Sequence, residues 1–451
     1  MIVKFKITAI KDILSYLLLF LMIFVPFEQK NIKIVLLILI IISVIVRVGS
    51  AGKVLMDSRV FIWLMLLIST GLFFVLWGTL NGYDDSLKVL PVFVIWPIAY
   101  FFIIESIVRL NTINNIFMLL VGSAFIISIY SILYMLSMVG IIPSFFILSL
   151  VKEAVVSVGT EFFSYGMPSI TSMFFLVPFT LSAFILWVDK DNMPIKRIWL
   201  LVTFILSLGP VIFSSTRMFW ILLFITPILT MIFIKLMPRL SSNLRIPICI
   251  NHIKNIILSV LILATSLILY FYNEVYELIK LFFDSSTFIE AASFTDRGSM
   301  VRVEQMHNLI NGWFEVPLLG AGHGASLSDY RRSELEPWAY EQTFFALLFQ
   351  TGLIGTIAYF LEILWIFFMG LKIARKSEKV SLYIIPSLVG TTCFLVANSS
   401  NPYLYAFDHL WTLFVTVIVI NVFLLEPNAS AESLKADYDY GNNYESVACK
   451  T

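Results

Sequence analysis

Long apolar stretches separated by short polar connections make up most of the chain. A helix needs about 20 apolar residues to cross the hydrocarbon core of a bilayer. The stretches that meet or approach this length predict twelve membrane spans, at Ile13–Phe27, Ile32–Val46, Val60–Leu80, Val89–Val108, Ile116–Gly140, Pro168–Val188, Ile198–Phe213, Met218–Leu236, Asn255–Tyr272, Thr343–Leu371, Leu382–Ala397 and Phe407–Leu425. The short stretch Ile141–Val151 is expected to form a partial or interfacial segment. The pattern therefore predicts an all-α polytopic membrane protein.

Composition supports a membrane protein and excludes several other classes. The chain is 59% hydrophobic and 13% charged, whereas about 25% of residues are charged in typical soluble domains. Its net charge is +1 and its Lys and Arg residues are scattered, so no nucleic-acid partner is expected. The cysteines, Cys249, Cys393 and Cys449, show no paired or metal-like spacing, which favours structural or incidental roles.

The first apolar stretch follows Lys4, Lys6 and Lys11, as the apolar part of a signal peptide would. No small-residue cleavage site follows it, and further spans come after it. We therefore interpret it as an uncleaved first helix.

The connections between the predicted spans alternate between rich and poor in positive charge. Cytoplasmic connections accumulate Lys and Arg. The rich set contains Arg47, Lys53, Arg59, Arg109, Lys190, Lys196, Arg197, Lys235, Arg239, Arg245, Lys254, Lys372, Arg375, Lys376 and Lys379. This asymmetry predicts that both termini are cytoplasmic.

The spans divide the chain into four regions. Residues 1–272 contain spans one to nine, and residues 342–425 contain spans ten to twelve. Between them lies a hydrophilic outer loop, residues 273–341, with 11 acidic and 5 basic residues. Residues 426–451 lack hydrophobic periodicity and are predicted to form a disordered cytoplasmic tail. Catalysis or recognition is expected in the outer loop, because loops on a rigid scaffold often provide function.

Arg217 lies at the predicted outer face, in the sequence FSSTRMFW between two apolar stretches. In the sequence it follows three hydroxyl residues, Ser214, Ser215 and Thr216, at the start of a span. Free N–H groups at a helix start also favour phosphate. The arrangement predicts an anion site, with an Arg that reaches only the lipid headgroups as the alternative.

The outer loop contains a second basic element followed by a glycine turn. Arg302, Met306, Leu309 and Trp313 have helical spacing, which predicts an amphipathic helix ending before Pro317. Arg297 and Arg302 lie near its start, and each could instead be a solvated or ion-paired residue. In the following sequence, LLGAGHG, the residues Gly320, Gly322 and Gly324 predict a flexible turn. His323 lies in this turn, and a single His in such a loop is more often a surface residue than a catalyst.

Three motifs follow one another along the chain: SSTR, then an Arg about fifteen residues before PLLGAG, then a span that contains QTGLIG. This order resembles the bacterial O-antigen ligase and O-antigen or capsule polymerase (Wzy-type) family. The resemblance covers about Ser207 to Phe360, and NPYLY at Asn401–Tyr405 extends it. It implies a GT-C-like membrane glycosyltransferase architecture in the bacterial cytoplasmic (inner) membrane. The implied donor and acceptor are polyprenyl-diphosphate-linked oligosaccharides, bound without metal or cofactor. Implied partners are a chain-length regulator and a flippase.

The resemblance also implies roles for individual residues. Arg217 matches the Arg of the family's S/T-x-S/T-R sequence, beside Ser215. Arg302 matches the Arg ahead of the glycine turn, with Arg297 as a further ligand. Both positions would contact the diphosphate.

The chain departs from the ligase pattern at Tyr340-Glu341-Gln342. Ligases usually place His-Asn here, and that His is the proposed base. Glu341 could accept the proton of the acceptor hydroxyl, with Tyr340 and Gln342 holding the carboxylate or the sugar and His323 as a further catalytic candidate. Alternatively, Glu341 caps or salt-bridges the start of the span.

The departure favours a polymerase, with a ligase as the alternative. A flippase or transporter, which is the alternative from another class, predicts charges buried at mid-bilayer. Glu105, Glu362 and Asp408 are instead expected near the ends of spans or in marginal positions.

Overall fold

The computed structural model describes residues 2–26, 28–138, 143, 155–158, 163–166, 169–187, 194–214, 216–237, 297–327, 330 and 333–425. These residues are almost entirely helical. The α-helices are α1 (Ile2–Phe24), α2 (Lys30–Ala51), α3 (Ser58–Leu80), α4 (Trp96–Ser106), α5 (Leu110–Met138), α6 (Ile170–Leu186), α7 (Arg197–Phe213), α8 (Arg217–Lys235), α9 (Arg297–Glu315), α10 (Thr343–Ala374), α11 (Glu378–Asn398) and α12 (Trp411–Leu425).

Shorter elements complete the described fold. Turns of 3-10 helix occur at Asp84–Val89, Tyr403–Tyr405 and Phe407–His409, and a π-helix at Pro91–Ile95 precedes α4. Two short strands, β1 (Val155–Val158) and β2 (Phe163–Gly166), pair in antiparallel fashion, with Val155 opposite Gly166.

The helices confirm a polytopic membrane protein. Among the described residues, 8 helices are long and apolar enough to cross a membrane, and shorter apolar helices lie at Asp12–Phe24, Ile170–Leu186 and Arg197–Val211. Together they coincide with every predicted span except Asn255–Tyr272, which lies outside the described residues. The same holds for the tail, 426–451, and for Ile141–Val151 apart from Pro143. A total of twelve spans and the orientation remain predictions.

Helices α11 and α12 form the centre of the described bundle and are buried on nearly all sides. Helix α6 packs along α11, while α10 packs against both α3 and α11. Peripheral helices leave large apolar side chains exposed, such as Ile38 of α2, Phe73 of α3 and Phe360 of α10. A helix that is apolar all round suits the centre of a membrane bundle, and an exposed apolar face suits contact with lipid.

The bundle buries charged side chains, and their positions correct one expectation. Lys33 Nζ lies 2.6 Å from Asp408 Oδ1, and Arg47 pairs with Glu105. Glu105 lies at the end of α4 and Asp408 just before α12, as expected. The expectation for Glu362 is wrong, because its carboxylate contacts Thr70 near the middle of the 23-residue helix α3.

Candidate functional site

Helix α10 is broken at Gly352, which has φ 60° and ψ −168°. Only glycine adopts this conformation readily. In a continuous helix the amides of Leu353 and Ile354 would bond to the carbonyls of Phe349 and Gln350. The break separates these four groups. Within a membrane they need other protein partners, because water is scarce there.

The segment that follows α9 supplies those partners. The amides of Leu353 and Ile354 donate to the carbonyls of Pro317 and Leu318, at 2.9 and 3.1 Å. The freed carbonyls accept from the amides of the next loop residues, Ala321 and Gly322, at 3.0 and 2.7 Å. The PLLGAG segment is therefore hydrogen-bonded into the broken helix.

The glycine turn lies buried between α3 and α10. Gly320, Gly322 and Gly324 have φ values of 65°, 100° and 84°, a range that favours glycine. A Cβ on Gly322 would overlap the backbone of Gly78 in α3. The prediction of a flexible turn is wrong, because close packing and backbone hydrogen bonds hold this segment on both sides.

His323 is fully buried, so the expectation of a surface residue is also wrong. Its ring stacks on Phe93 with 3.7 Å between ring centroids. Its Nε2 lies 2.8 Å from the hydroxyl of Tyr359, and its Nδ1 lies 3.3 Å from Oε1 of Gln350. Burial lowers the pKa of His323 to about 3, although the hydrogen bond with Gln350 opposes this shift. The ring is therefore neutral at physiological pH.

The partners of His323 define which ring nitrogen holds the proton. The Gln350 oxygen can only accept, so Nδ1 donates to it and Nε2 accepts from the Tyr359 hydroxyl. Both ring nitrogens are thus used within the protein. This geometry favours a positioning role for His323, and its catalytic role stays a prediction.

Gln350 joins three segments of the chain at the centre of this region. Its amide nitrogen donates to the carbonyls of Ala325 and Trp338, each at 3.1 Å. Its oxygen also accepts from the hydroxyl of Tyr405, at 2.9 Å. The sequence interpretation did not assign Gln350 a role. A polar side chain within an apolar span is the signal that would have identified it.

Helix α9 lies against the start of α10. The predicted amphipathic helix is confirmed, since α9 spans Arg297–Glu315 and buries Leu309. The buried side chain of Gln305 accepts a hydrogen bond from the backbone amide of Gln342, with 2.8 Å between Gln305 Oε1 and the amide nitrogen. This bond anchors the outer-loop helix to the residue just before α10.

Arg302 and Glu341, two predicted site residues, form an ion pair at this junction. Arg302 Nε lies 2.8 Å from Glu341 Oε2, and the side chains are 36% and 23% exposed. The salt-bridge alternative for Glu341 is therefore observed. Gln342, the next residue, is the N-cap residue of α10 and makes no side-chain capping bond. Pairs this exposed contribute about 0.2–1 kcal/mol, so a more strongly bound anion could replace the carboxylate.

Tyr340 is buried and supports the loop beside this pair. Its hydroxyl accepts from the amide of Leu327 at 2.7 Å and donates to the carbonyl of Tyr330 at 3.2 Å. Burial raises the pKa of Tyr330, and Glu304 and Glu341 add to this rise. The described bonds of Tyr340 therefore order the polypeptide next to Glu341. Contact of Tyr340 or Gln342 with a sugar stays a prediction.

The predicted anion site at the start of α8 is only partly described. Helix α8 begins at Arg217, as predicted. Ser214 Oγ donates to the carbonyl of Val211 at 2.9 Å, and Thr216 Oγ1 donates to the carbonyl of Ser214 at 3.1 Å. These bonds tie both hydroxyls to the turn. Ser215 and the side chains of Arg217 and Arg297 lie outside the described part of the chain, so their convergence with Arg302 stays a prediction.

Comparison of the chain with protein-family models and with curated proteins finds no match.

Proposed function

We propose that this protein is a surface polysaccharide polymerase of the bacterial cytoplasmic membrane. It joins polyprenyl-diphosphate-linked oligosaccharide repeat units at the outer leaflet. The observation that supports this function most is the 2.8 Å contact between Arg302 and Glu341. It brings a candidate diphosphate ligand and a candidate base together where the outer loop meets α10.

Arg302 can pair either with the carboxylate of Glu341 or with the diphosphate of the donor, and this exchange couples donor binding to the release of Glu341 as a base. In the structure Arg302 is paired with the carboxylate of Glu341. A diphosphate offers more negative charge and several acceptor oxygens, so it competes for the guanidinium. Transfer of Arg302 to the diphosphate releases the carboxylate for the acceptor hydroxyl. Arg217 would hold the same diphosphate from the start of α8.

The reaction is a displacement at the anomeric carbon of the donor sugar. The acceptor hydroxyl oxygen bonds to this carbon while the bond from carbon to the diphosphate oxygen breaks. Glu341 accepts the hydroxyl proton, and the polyprenyl diphosphate leaves with its charge stabilised by guanidinium groups. Atoms and charge balance without any further reactant.

Packing around the broken helix α10 holds the residues near Arg302 and Glu341 in place. Gln350 holds Trp338, three residues before Glu341, through the 3.1 Å bond to its carbonyl. Packing of the glycine turn against Gly78 and Gly352 fixes the segment that leads from α9. Catalytic groups act best when neighbouring packing and hydrogen bonds fix their positions.

The test is polymer formation from purified lipid-linked repeat units by wild type and by Glu341→Gln at equal protein levels. Gln keeps the shape of the side chain but cannot accept a proton as a base. We expect turnover to fall by about 10²–10⁴-fold. Glu336→Gln, at an exposed position of the same loop, is the matched control and should retain activity. Equal rates for wild type and Glu341→Gln would assign Glu341 a structural role and make His323 or His307 the next candidate.

The donor ligands are tested by Arg217→Ala and Arg302→Ala. Loss of one charge-assisted hydrogen bond costs roughly 1.5–3 kcal/mol, or one to two decades in rate. Polymer should be lost or strongly reduced in cells that lack the native gene. Full polymer from a normally expressed double variant would contradict the assignment.

A ligase that transfers finished glycan to a lipid or protein acceptor would use the same groups. The two activities differ only in the acceptor, so product analysis with both acceptor types separates them. A longer lipid-linked glycan is expected from a polymerase.

Transport is a second candidate function, and the position of Glu362 favours it. This carboxylate contacts Thr70 near the middle of α3, where transporters commonly place ionisable residues. The test is movement of lipid-linked oligosaccharide across reconstituted vesicles. Transport that is lost in Glu362→Gln, without formation of a longer glycan by wild type, would support this candidate over the polymerase.

A further inference from the structure

A cavity of about 110 Å³ lies among α3, α10, α12 and the segment before α4. Its wall is largely apolar and rich in aromatic rings. The aromatic residues that line it are Trp63, Phe93, Phe344, Tyr359, Tyr405 and Phe414.

Lipid-facing residues border the cavity on α3 and α10. Phe344 lines it and is 41% exposed, and Leu67 and Leu347 are partly exposed. Helix α10 also exposes Phe360 and Leu361 along the same apolar span. A molecule that reaches the cavity from this side comes from the hydrocarbon of the bilayer and must be soluble in it.

Glu362 is a charged residue that lines this aromatic cavity. Its side chain is buried, with only 7% of the residue exposed. Oε1 accepts from the hydroxyl of Thr70 at 3.0 Å. Oε2 has no hydrogen-bond partner within the described part of the chain. A buried carboxylate oxygen without a partner is costly, so a ligand that supplies positive charge gains binding energy here.

Trp63 and Phe414 line the same cavity as Glu362. Trp63 Nε1 donates to the backbone carbonyl of Glu362 at 2.9 Å, which fixes the indole beside that residue. Trp63 and Phe414 meet edge to face, with 5.7 Å between ring centroids. Aromatic rings attract organic cations through their electron-rich faces, and Trp does so most strongly.

We propose that this cavity is a binding site for a lipophilic organic cation, of which an alkylammonium is the simplest form. The ammonium group pairs with the carboxylate of Glu362 and lies among the aromatic rings, and the alkyl chain follows the apolar wall towards the bilayer. A neutral lipid chain would leave the carboxylate unpaired, and an anion would be repelled by it. Hard inorganic cations prefer several oxygen ligands, whereas this wall is aromatic.

The test is binding of radiolabelled decyltrimethylammonium to the purified full-length protein in phosphatidylcholine nanodiscs. We expect saturable binding to wild type and at least a tenfold weaker affinity for Glu362→Gln. Gln keeps the acceptor for Thr70, so the fold should be retained. Glu315→Gln removes the same charge at an exposed position of α9 and should leave binding unchanged. Equal affinity of wild type and Glu362→Gln would overturn the proposal.

Ligand and shape controls complete the experiment. The uncharged isostere with carbon in place of nitrogen has the same shape and should not compete. Leu347→Trp should fill the cavity and weaken cation binding, whereas Leu361→Trp, on the lipid-facing side of the same helix, should not. Competition by the isostere, or wild-type binding by Leu347→Trp, would also overturn the proposal. These measurements do not depend on polysaccharide synthesis.

Discussion

The backbone of Gly322 lies directly against the backbone of Gly78, with no space for a Cβ atom on Gly322. Gly322 also has a φ of 100° and donates its amide to Gln350. One residue of the outer loop therefore contacts α3 and the broken part of α10 at once. This contact allows a non-helical segment to lie within an apolar bundle with its backbone groups paired.

Replacement of Gly322 by Ala should destabilise the protein by at least about 2 kcal/mol. The new methyl group overlaps Gly78, and the positive φ adds strain. The measurement is thermal unfolding of the purified protein in detergent. Gly122→Ala is the control, because a Cβ at Gly122 meets no atom within 4 Å and Ala favours a helix interior. Equal unfolding temperatures for the two variants would contradict the close packing at Gly322.

Burial of neutral His323 predicts a specific sensitivity to acid. Its pKa falls from 6.5 to about 3, so the unfolded chain binds the proton at a higher pH than the folded protein. The stabilisation is therefore complete above pH 6.5 and is lost as the pH falls from 6.5 towards 3. At pH 5 the loss is about 2 kcal/mol.

Thermal unfolding at pH 7.5 and pH 5 measures this effect. His323→Gln cannot gain the proton, so its stability should fall less between these pH values than that of wild type. The comparison within each protein cancels the initial cost of the substitution. An identical fall in both proteins would show that His323 is accessible to protons in the folded state.

The sequence predicted the described membrane helices well, because each of them coincides with a continuous apolar stretch. Amphipathic spacing also predicted α9. The buried glycine turn was missed, since PLLGAGHG taken alone resembles an exposed flexible loop. Its burial depends on Gly78 and Gly352, which lie far away in the chain, and local spacing contains no information about such contacts.

The candidate site was predictable only in part for the same reason. Order along the chain suggested both Arg302 and Glu341, although their ion pair depends on how α9 lies across α10. Glu362 was expected near the end of a span. Its depth in the bundle is shown only by its contact with Thr70 of α3, a residue far away in the chain. Depth within a bundle is a property of packing and cannot be counted along one helix.

The charge asymmetry of the connections predicts that Leu335 is extracytoplasmic and Lys379 cytoplasmic. Both residues are exposed, so a cysteine at either position should be reachable from its own side. In a background without the native cysteines, a membrane-impermeant maleimide applied to intact spheroplasts should label Leu335→Cys. Lys379→Cys should require permeabilised membranes. The reverse pattern would invert the proposed orientation and place Glu341 on the cytoplasmic side.

Exchange of Arg302 and Glu341 separates a structural ion pair from a catalytic one. In the double variant Arg302→Glu with Glu341→Arg the two charges remain together, so a purely structural pair should recover most of the polymer lost in either single variant. If Arg302 binds diphosphate and Glu341 accepts a proton, the exchanged groups stand in the wrong places for both tasks. We expect the double variant to fold yet to remain as inactive as the single variants, measured as polymer in cells lacking the native gene at matched expression. The ion pair of Lys88 and Asp85, with 2.7 Å between its charged atoms and side chains that are 63% and 24% exposed, gives a control exchange that should preserve polymer. Recovery of polymer in the Arg302 and Glu341 exchange would reduce the pair to a surface contact and remove the main support for the polymerase mechanism.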